Sequence, residues 1–446
     1  MENMTEAFLN FLYERAVRPL PEAAASAAKD CLLDALGCML GGSAQFADRA
    51  VRYLDRLPAC EGVTVAAIGR KAALPDAALW NGIFSHAYDI DDGHRFSNVH
   101  TGAAIIPAVL AAAELENAPI PLLLQGIAVG YEAAVRLGKC MQPSHRNRGF
   151  HASATLCTLG AAMGAATVLG CSREDFHSIL CAACSNAGGI LELQENVSDM
   201  KPYNIGRAAC AGLSSAYFGR SGFTGPVDPL CGKFGFLKAF ADELKPEALT
   251  AEPESWAVTG VYHKLHASCR HTHAAIDAVL SLRETLPAEA VESVTVRMYK
   301  QGIKGHDHTE IAGIVAGKMS VPYCIGMAWV LGRCGIPDFT EENRVNAEIL
   351  RICEATTVVE DPELTALVPG KRVAVIEAVC KDGACACARV EFPLGEPENP
   401  MPEALLVQKF RGLAGLGGKN DADIDAILAL VQSGEGDTRT LCENLK

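Results

Sequence analysis

Aromatic residues are scarce in this chain. They make up 6% of its 446 residues, although 49% of the residues are apolar. The core must therefore be built from Ala, Leu, Val, Ile and Cys, and the length suffices for two domains. Positive charge is also in short supply. The formal net charge of −14 makes nucleic acid and anionic membrane poor partners, while a local cluster of Lys, Arg and His still admits an anionic substrate. The longest apolar run, Ala103 to Ala113, falls well short of the roughly 18 residues that span a bilayer. The N-terminal MENMTEAFLNFLYERAV has no basic n-region, long apolar h-region or cleavage site. From these absences a soluble cytoplasmic protein is expected. No Gly-rich stretch follows a strand and opens a helix, as a dinucleotide site requires, and there is no GxSxG nucleophile elbow.

Cysteine, by contrast, is plentiful, with 18 residues. Most sit among Ala and Gly in apolar stretches, where free Cys packs as a small hydrophobe. A reduced protein is the better reading than a disulfide scaffold. Cys181-x-x-Cys184 has no second pair nearby and reads as packing.

Strand signals are nearly missing before about residue 260. Helices are predicted over Thr5–Val17, Ala23–Leu40 (closed by Gly41-Gly42), Ala47–Leu57, Ala73–His86, Ala103–Leu115, Leu122–Lys139, His151–Leu169 and Arg173–Gly188, and from about Gly206 to Phe218. Gly160-x-x-x-Gly164 marks helix packing. The character then changes. Val291–Tyr299 alternates like a strand, and Arg372–Val379 and Ala384–Phe392 flank a Lys381-Asp382-Gly383 turn. The fold class is mainly α: a large all-α domain over 1–262, a smaller α+β lid domain over 263–395, and a helical segment, 396–446, returning to the first domain.

Between two apolar helices lies His86–Gly102, HAYDIDDGHRFSNVHTG. Its carboxylates (Asp89, Asp91, Asp92) and imidazoles (His86, His94, His100) read either as capping and solvated charge or as acid–base machinery. A calcium loop is excluded, because the twelfth position from Asp89 is His100 where an EF-hand needs Glu. Lys201 precedes a helix start, where cation and backbone N–H groups together favour an anion, or else faces solvent. His145, Arg146, Arg148 and His151 form a basic loop, a carboxylate clamp or a solvated turn. His263, Lys264, His266, Cys269, Arg270, His271 and His273 are dense enough to raise zinc, but match no standard spacing. No metal is assigned.

Taken together these blocks resemble the MmgE/PrpD family. They are NGIFSHAYDIDDGHRFSNVHTGAAIIPAVLAAAE, GYEAAVRLGK, GFHASATLCTLGAAMGAA, KPYNIGRAACAGLSSAYFGRSGFTGP, KLHASCRHTHAAIDA, SVPYCIGMA and NPMPEALLVQKF. The resemblance implies a helical domain with an α+β lid, a homodimer, no cofactor, and dehydration, decarboxylation or epimerisation of a small di- or tricarboxylate. It implies catalytic roles for His100, oriented by Asp89, and for Lys201, His151 and Tyr323. Lys264, Arg148, His145, Cys269 and Asp92 are expected to bind substrate. Cis-aconitate decarboxylases tend to carry Thr where Gly93 stands and His where Cys269 stands, so a dehydratase or epimerase is the first expectation and a decarboxylase the alternative. A metal-dependent hydro-lyase and a non-catalytic carboxylate-binding protein are the rivals.

Overall fold

The computed structural model describes residues 4–194, 198–251 and 255–446, so part of the polar segment at 194–201 lies outside the described residues. Two units emerge. The first comprises Met1–Ala87, Asp91–Val261 and Pro402–Lys446. Its helices are α1 (Met4–Val17), α2 (Glu22–Leu54), α3 (Leu74–His86), α4 (Gly102–Glu116), α5 (Ile120–Met141), the short α6 (Ser144–Asn147), α7 (Ala152–Val168), α8 (Arg173–Asn186), α9 (Met200–Gly219) and the short α10 (Phe236–Phe240). A hairpin pairs β1 (Val63–Val65) with β2 (Arg70–Ala72).

The second unit comprises Tyr88–Ile90 and Tyr262–Met401. It holds α11 (His273–Leu282), α12 (Ile314–Met319), α13 (Val321–Leu331), α14 (Glu341–Arg344), α15 (Ala347–Glu354) and α16 (Pro362–Ala366). Its sheet runs β4 (Thr356–Glu360), β3 (Val291–Met298), β5 (Ala374–Cys380), β6 (Cys385–Val390). β3 is parallel to β4 and antiparallel to β5. The β5–β6 turn places Gly383 at φ +86°, a left-handed conformation that glycine adopts without a Cβ penalty. β4, TTVVE, escaped the sequence reading because five residues show too little alternation. The chain then rejoins the first unit as α17 (Glu403–Leu416), α18 (Asp421–Ser433) and α19 (Thr438–Asn444).

Gly41-Gly42 does not end a helix. α2 runs unbroken for 33 residues, because these glycines are contact points. A Cβ on Gly42 would meet the Phe84 carbonyl oxygen at 1.9 Å, and one on Gly41 would meet Leu413 of α17 at 2.7 Å. Packing outweighs the roughly 1 kcal/mol propensity cost of each glycine. Gly160 and Gly164 do mark packing: α7 lies against α5, with a hypothetical Cβ on either one 2.7 Å from the carbonyl oxygen of Gly130 or Gly126. By length and composition α5 is able to cross a membrane, and 89% of its apolar window is buried within the protein.

α9 begins at Met200, earlier than its spacing predicts, so Lys201 lies inside its first turn. Gly206 is the point where α9 crosses α3. A Cβ on Gly82 would sit 2.7 Å from the Gly206 Cα. Gly82→Ala must push two backbones apart, and an overpacking cost of about 1–3 kcal/mol is expected. A lowered Tm in thermal unfolding checks this. The crossing matters for chemistry, since it brings the end of α3, with His86, to the start of α9, with Lys201.

Candidate active site

The segment between α3 and α4 is pinned from several sides. His94 N–H donates to the Val99 carbonyl at 2.9 Å, Ser97 N–H donates to His94 Nδ1 at 3.2 Å, and the Ser97 hydroxyl donates to the Val135 carbonyl of α5 at 2.7 Å. Asp92 is the main anchor. Its Oδ1 accepts the Gly102 N–H at 2.7 Å and its Oδ2 accepts the Tyr131 hydroxyl at 2.6 Å, while the Thr101 hydroxyl lies 3.3 Å away. Both oxygens of this buried carboxylate are thus engaged in holding α4 to α5. The resemblance implied that Asp92 binds substrate; in the structure its carboxylate accepts from the α4 start and from Tyr131.

Asp91 lies between two imidazoles. His86 Nδ1 is 2.8 Å from Oδ1 and His100 Nδ1 is 3.1 Å from Oδ2. The two rings stand 4.7 Å apart, edge to face. His100 Nδ1 is also 3.1 Å from the Asp92 carbonyl, and its backbone N–H donates to the Ser153 hydroxyl of α7 at 2.9 Å. Asp91 is thus in contact with His100, in the orienting position that the resemblance implied for Asp89.

Asp89 sits at φ +55°, a left-handed conformation that Asp tolerates better than most residues. That turn aims its carbonyl and carboxylate at one cation. Lys264 Nζ donates to the Asp89 carbonyl at 2.6 Å and to Oδ1 at 2.7 Å. Lys264 is 1% exposed, and a lysine so buried needs such compensation.

His151 caps the start of α7, its backbone N–H donating to the Gly189 carbonyl at 3.1 Å. Its Nδ1 and the Nε2 of His86 are buried and make no hydrogen bond among the described residues. Buried polar atoms left this way are uncommon. Burial first, and then the Lys201 charge and the neighbouring imidazoles, hold the His151 ring well below its ordinary value. Burial likewise pulls His86 down to about 4, with Asp91 opposing and Lys201 assisting. Burial would raise the Asp91 carboxyl, but the two imidazoles prevail and hold it well below the usual carboxylate range. So His86, Asp91, His100, His151 and Lys201 form one interacting group.

The basic loop is used differently from the clamp expected of it. His145 is buried, with Nδ1 3.0 Å from the Phe240 carbonyl and Nε2 2.7 Å from the Thr155 hydroxyl, and it stacks on Phe150. Both ring nitrogens are engaged, so His145 is a packing residue. Burial lowers it to about 4. Arg148 donates to the Ala239 carbonyl at 3.0 Å and stands 3.5 Å from the Asp242 carboxylate. It ties down the segment after α10. Arg146 is the loop cation whose charge reaches His151.

Of the stretch His263 to His273, Cys269 and His271 bring ligand atoms within 4.8 Å of one another and of His306, a set able to hold a metal ion. His266, Arg270 and His273 are paired elsewhere. His266 Nε2 pairs with Asp277 at 2.8 Å, His273 Nδ1 meets Arg270 at 2.9 Å, and Arg270 bridges to Glu396 at 2.8 Å. Cys269 and His271 turn instead toward His306, a residue the sequence reading missed. The only signal was KGHDHTE, a His-rich turn following β3. Tyr323 lies in the first turn of α13 behind the Ser320 cap, its N–H donating to the Ser320 hydroxyl at 3.1 Å. Its ring is buried, and that burial raises its phenol.

Comparison with known proteins now bears on this arrangement. Residues 6–249 match the model of the MmgE/PrpD N-terminal domain, and residues 266–433 match that of the MmgE/PrpD C-terminal domain. The chain belongs to the MmgE/PrpD family. Similar family members include the cis-aconitate decarboxylase-like protein oryM of Aspergillus oryzae, 26% identical over 97% of this chain and 98% of that protein. The cis-aconitate decarboxylase of Aspergillus terreus is 25% identical over 92% of this chain and 89% of its own length. The human cis-aconitate decarboxylase is 25% identical over 93% and 88%.

The buried imidazoles of this MmgE/PrpD chain have a measurable consequence. Unfolded, His86 and His145 take up protons near 6.5; folded, only near 4. Between those values the unfolded chain binds more protons, so stability is complete above about pH 6.5 and falls as the pH drops toward 4. For the fully buried His86 the loss is on the order of 3 kcal/mol. Tm is expected to fall steeply from pH 6.5 to 4.5. A flat profile would mean that these rings are not held neutral.

Proposed function

We propose that this protein is a lyase or epimerase of a small di- or tricarboxylate, working by proton transfer at the carbon next to a carboxylate. The observation that supports it most is Asp91 set between the His86 and His100 imidazoles, with His151 and the Lys201 cation acting on the same group. Such a carbon acid is weak, and its conjugate base carries enediolate charge that fixed cations stabilise. Lys201, in the first turn of α9, has that task; Lys264 is already compensated by Asp89. His100, held through Nδ1, exchanges the proton at Nε2. His151 is its counterpart, and Arg146 holds a second carboxylate. A homodimer is taken as the working form, on the family resemblance, and sedimentation tests it.

A second reading is decarboxylation of cis-aconitate. The supporting observation is the likeness, over most of the chain, to proteins described as cis-aconitate decarboxylases. One experiment separates the two: proton NMR of the purified protein in D₂O with 2-methylcitrate, citrate, cis-aconitate and iminodisuccinate. Deuterium entering a substrate without net change means epimerase chemistry. A new vinyl signal means dehydration, or decarboxylation where carbon dioxide is released. If nothing exchanges or turns over, the enzymatic reading fails for this substrate class and a carboxylate-binding role takes its place.

A further inference from the structure

The second unit holds a cluster that the mechanism above leaves unused. Cys269, His271 and His306 each bring one ligand atom into a group whose members lie within 4.8 Å of one another. Cys269 Sγ is 3.8 Å from His306 Nε2, and the His271 and His306 rings stand 5.2 Å apart. His306 is buried, whereas Cys269 and His271 are partly exposed, which leaves an ion a way in.

The side chains are held as metal ligands are held. His306 Nδ1 lies 2.8 Å from the Met319 carbonyl. A carbonyl only accepts, so Nδ1 carries the proton and Nε2 turns its lone pair toward the sulfur. The His306 backbone is fixed too: its N–H donates to the Ile303 carbonyl at 2.8 Å and its carbonyl accepts the Val321 N–H at 2.7 Å. The His271 ring is held through Nδ1, 2.5 Å from the hydroxyl of buried Tyr299. Such outer partners set the tautomer and orientation of imidazoles around a metal. Cys269 is positioned by its backbone, the N–H donating to the Lys318 carbonyl at 3.0 Å and the carbonyl accepting the Thr272 N–H and hydroxyl, each at 2.9 Å.

We propose that Cys269, His271 and His306 bind a Zn²⁺ ion, with water as the fourth ligand. A thiolate and two imidazoles suit zinc, and three protein ligands leave one position open. On binding, the S–H bond breaks, the S–Zn bond forms and the proton goes to solvent. Tetrahedral bonds of about 2.3 Å to sulfur and about 2.1 Å to nitrogen place sulfur and nitrogen about 3.5 Å apart. Cys269 and His306 already stand close to that separation, and His271 closes on them by a side-chain movement. The ion joins the segment after β3, which carries His306, to the turn that opens α11, which carries Cys269 and His271. Cys269 thereby has a task other than the substrate contact that the resemblance implies, and none of the three residues belongs to the acid–base group around Asp91. Spacing hid the site: Cys-x-His supplies two ligands, and the third lies 37 positions from Cys269.

Metal titration of the full-length protein tests this. The protein is stripped with chelator, dialysed and titrated with Zn²⁺ or Co²⁺ alone, and bound metal is counted by elemental analysis. One tightly held equivalent of Zn²⁺ is expected. Co²⁺ should give a sulfur-to-cobalt charge-transfer band with the strong visible bands of a tetrahedral ion, all bleached by Zn²⁺. Cys269→Ser should abolish the charge-transfer band, and His306→Asn should weaken zinc binding by about 10²-fold or more, since loss of an outer partner alone costs about 10–100-fold. Other thiols compete for zinc, so the exposed pair Cys385 and Cys387 supplies the control: C385S/C387S should keep both the equivalent and the band. A wild type that retains no zinc, C269S and H306N that bind it as the wild type does, or a band lost in the control overturns the site. A second readout needs no variant. Lys304 is exposed, two positions before His306, and Zn²⁺ should slow tryptic cleavage there several-fold relative to the stripped protein. Cleavage at an unchanged rate overturns the ion's part in holding that segment.

Discussion

His100→Ala is expected to lower kcat by about 10²- to 10⁴-fold with little change in stability. The His100 side chain is 18% exposed, and its removal leaves Asp91 still paired with His86 at 2.8 Å. The backbone of residue 100 keeps its bond to Ser153. What disappears is a ring fixed at Nδ1 by a carboxylate and yet not wholly buried. His86, held by the same carboxylate, is a poor substitute because it is 1% exposed. The measurement is steady-state turnover of the diacid identified by NMR, alongside a Tm. A variant with full kcat removes His100 from the chemistry. A variant with a low kcat and a collapsed Tm says that the ring is a packing element. Asp91→Asn supplies the companion test. It keeps the shape but not the charge, so the pH profile of kcat should change if Asp91 sets the imidazole.

Much of this site could be read from residue types, and much of its wiring could not. An imidazole- and carboxylate-rich stretch between two apolar helices announces itself, because buried charge is costly and is kept for a reason. His100, His151 and Lys201 were singled out that way or by motif. Which carboxylate meets which imidazole depends on one backbone torsion. The left-handed turn at Asp89 aims that side chain at Lys264, and Asp91 meets both histidines. No pattern of spacing reveals it. His145 misled for the opposite reason: a cationic loop looks like a clamp until a phenylalanine and a threonine are seen to close on it. His306 comes from a turn 37 positions away from Cys269, beyond any local motif. The helices were legible through apolar periodicity. The unbroken α2 was not, because a Gly-Gly pair in a long helix looks like a stop until the partners packed on it are known.

Asp92→Ala should damage the fold rather than the substrate affinity. The carboxylate is 2% exposed and accepts from a helix-start N–H, a phenol and, more loosely, a threonine hydroxyl. Alanine leaves the Gly102 N–H and the Tyr131 hydroxyl buried without that acceptor. At about 1–3 kcal/mol for each group so orphaned, a loss of about 2–5 kcal/mol is expected. Tyr131→Phe removes one donor and leaves the carboxylate with the rest, so it should cost less. Because the two residues share a bond, the double variant should fall short of the sum of the single losses. Gly102 adds a geometric limit. A Cβ there would lie 2.7 Å from the Tyr131 oxygen and 3.0 Å from Asp92 Oδ1, so the helix start, the phenol and the carboxylate meet only at a glycine. Denaturant unfolding of D92A, Y131F and the double variant separates this account from a substrate-binding one. A substrate ligand would raise KM and leave the unfolding midpoint where it was. A structural acceptor lowers the midpoint in all three variants, and most in those that lack Asp92.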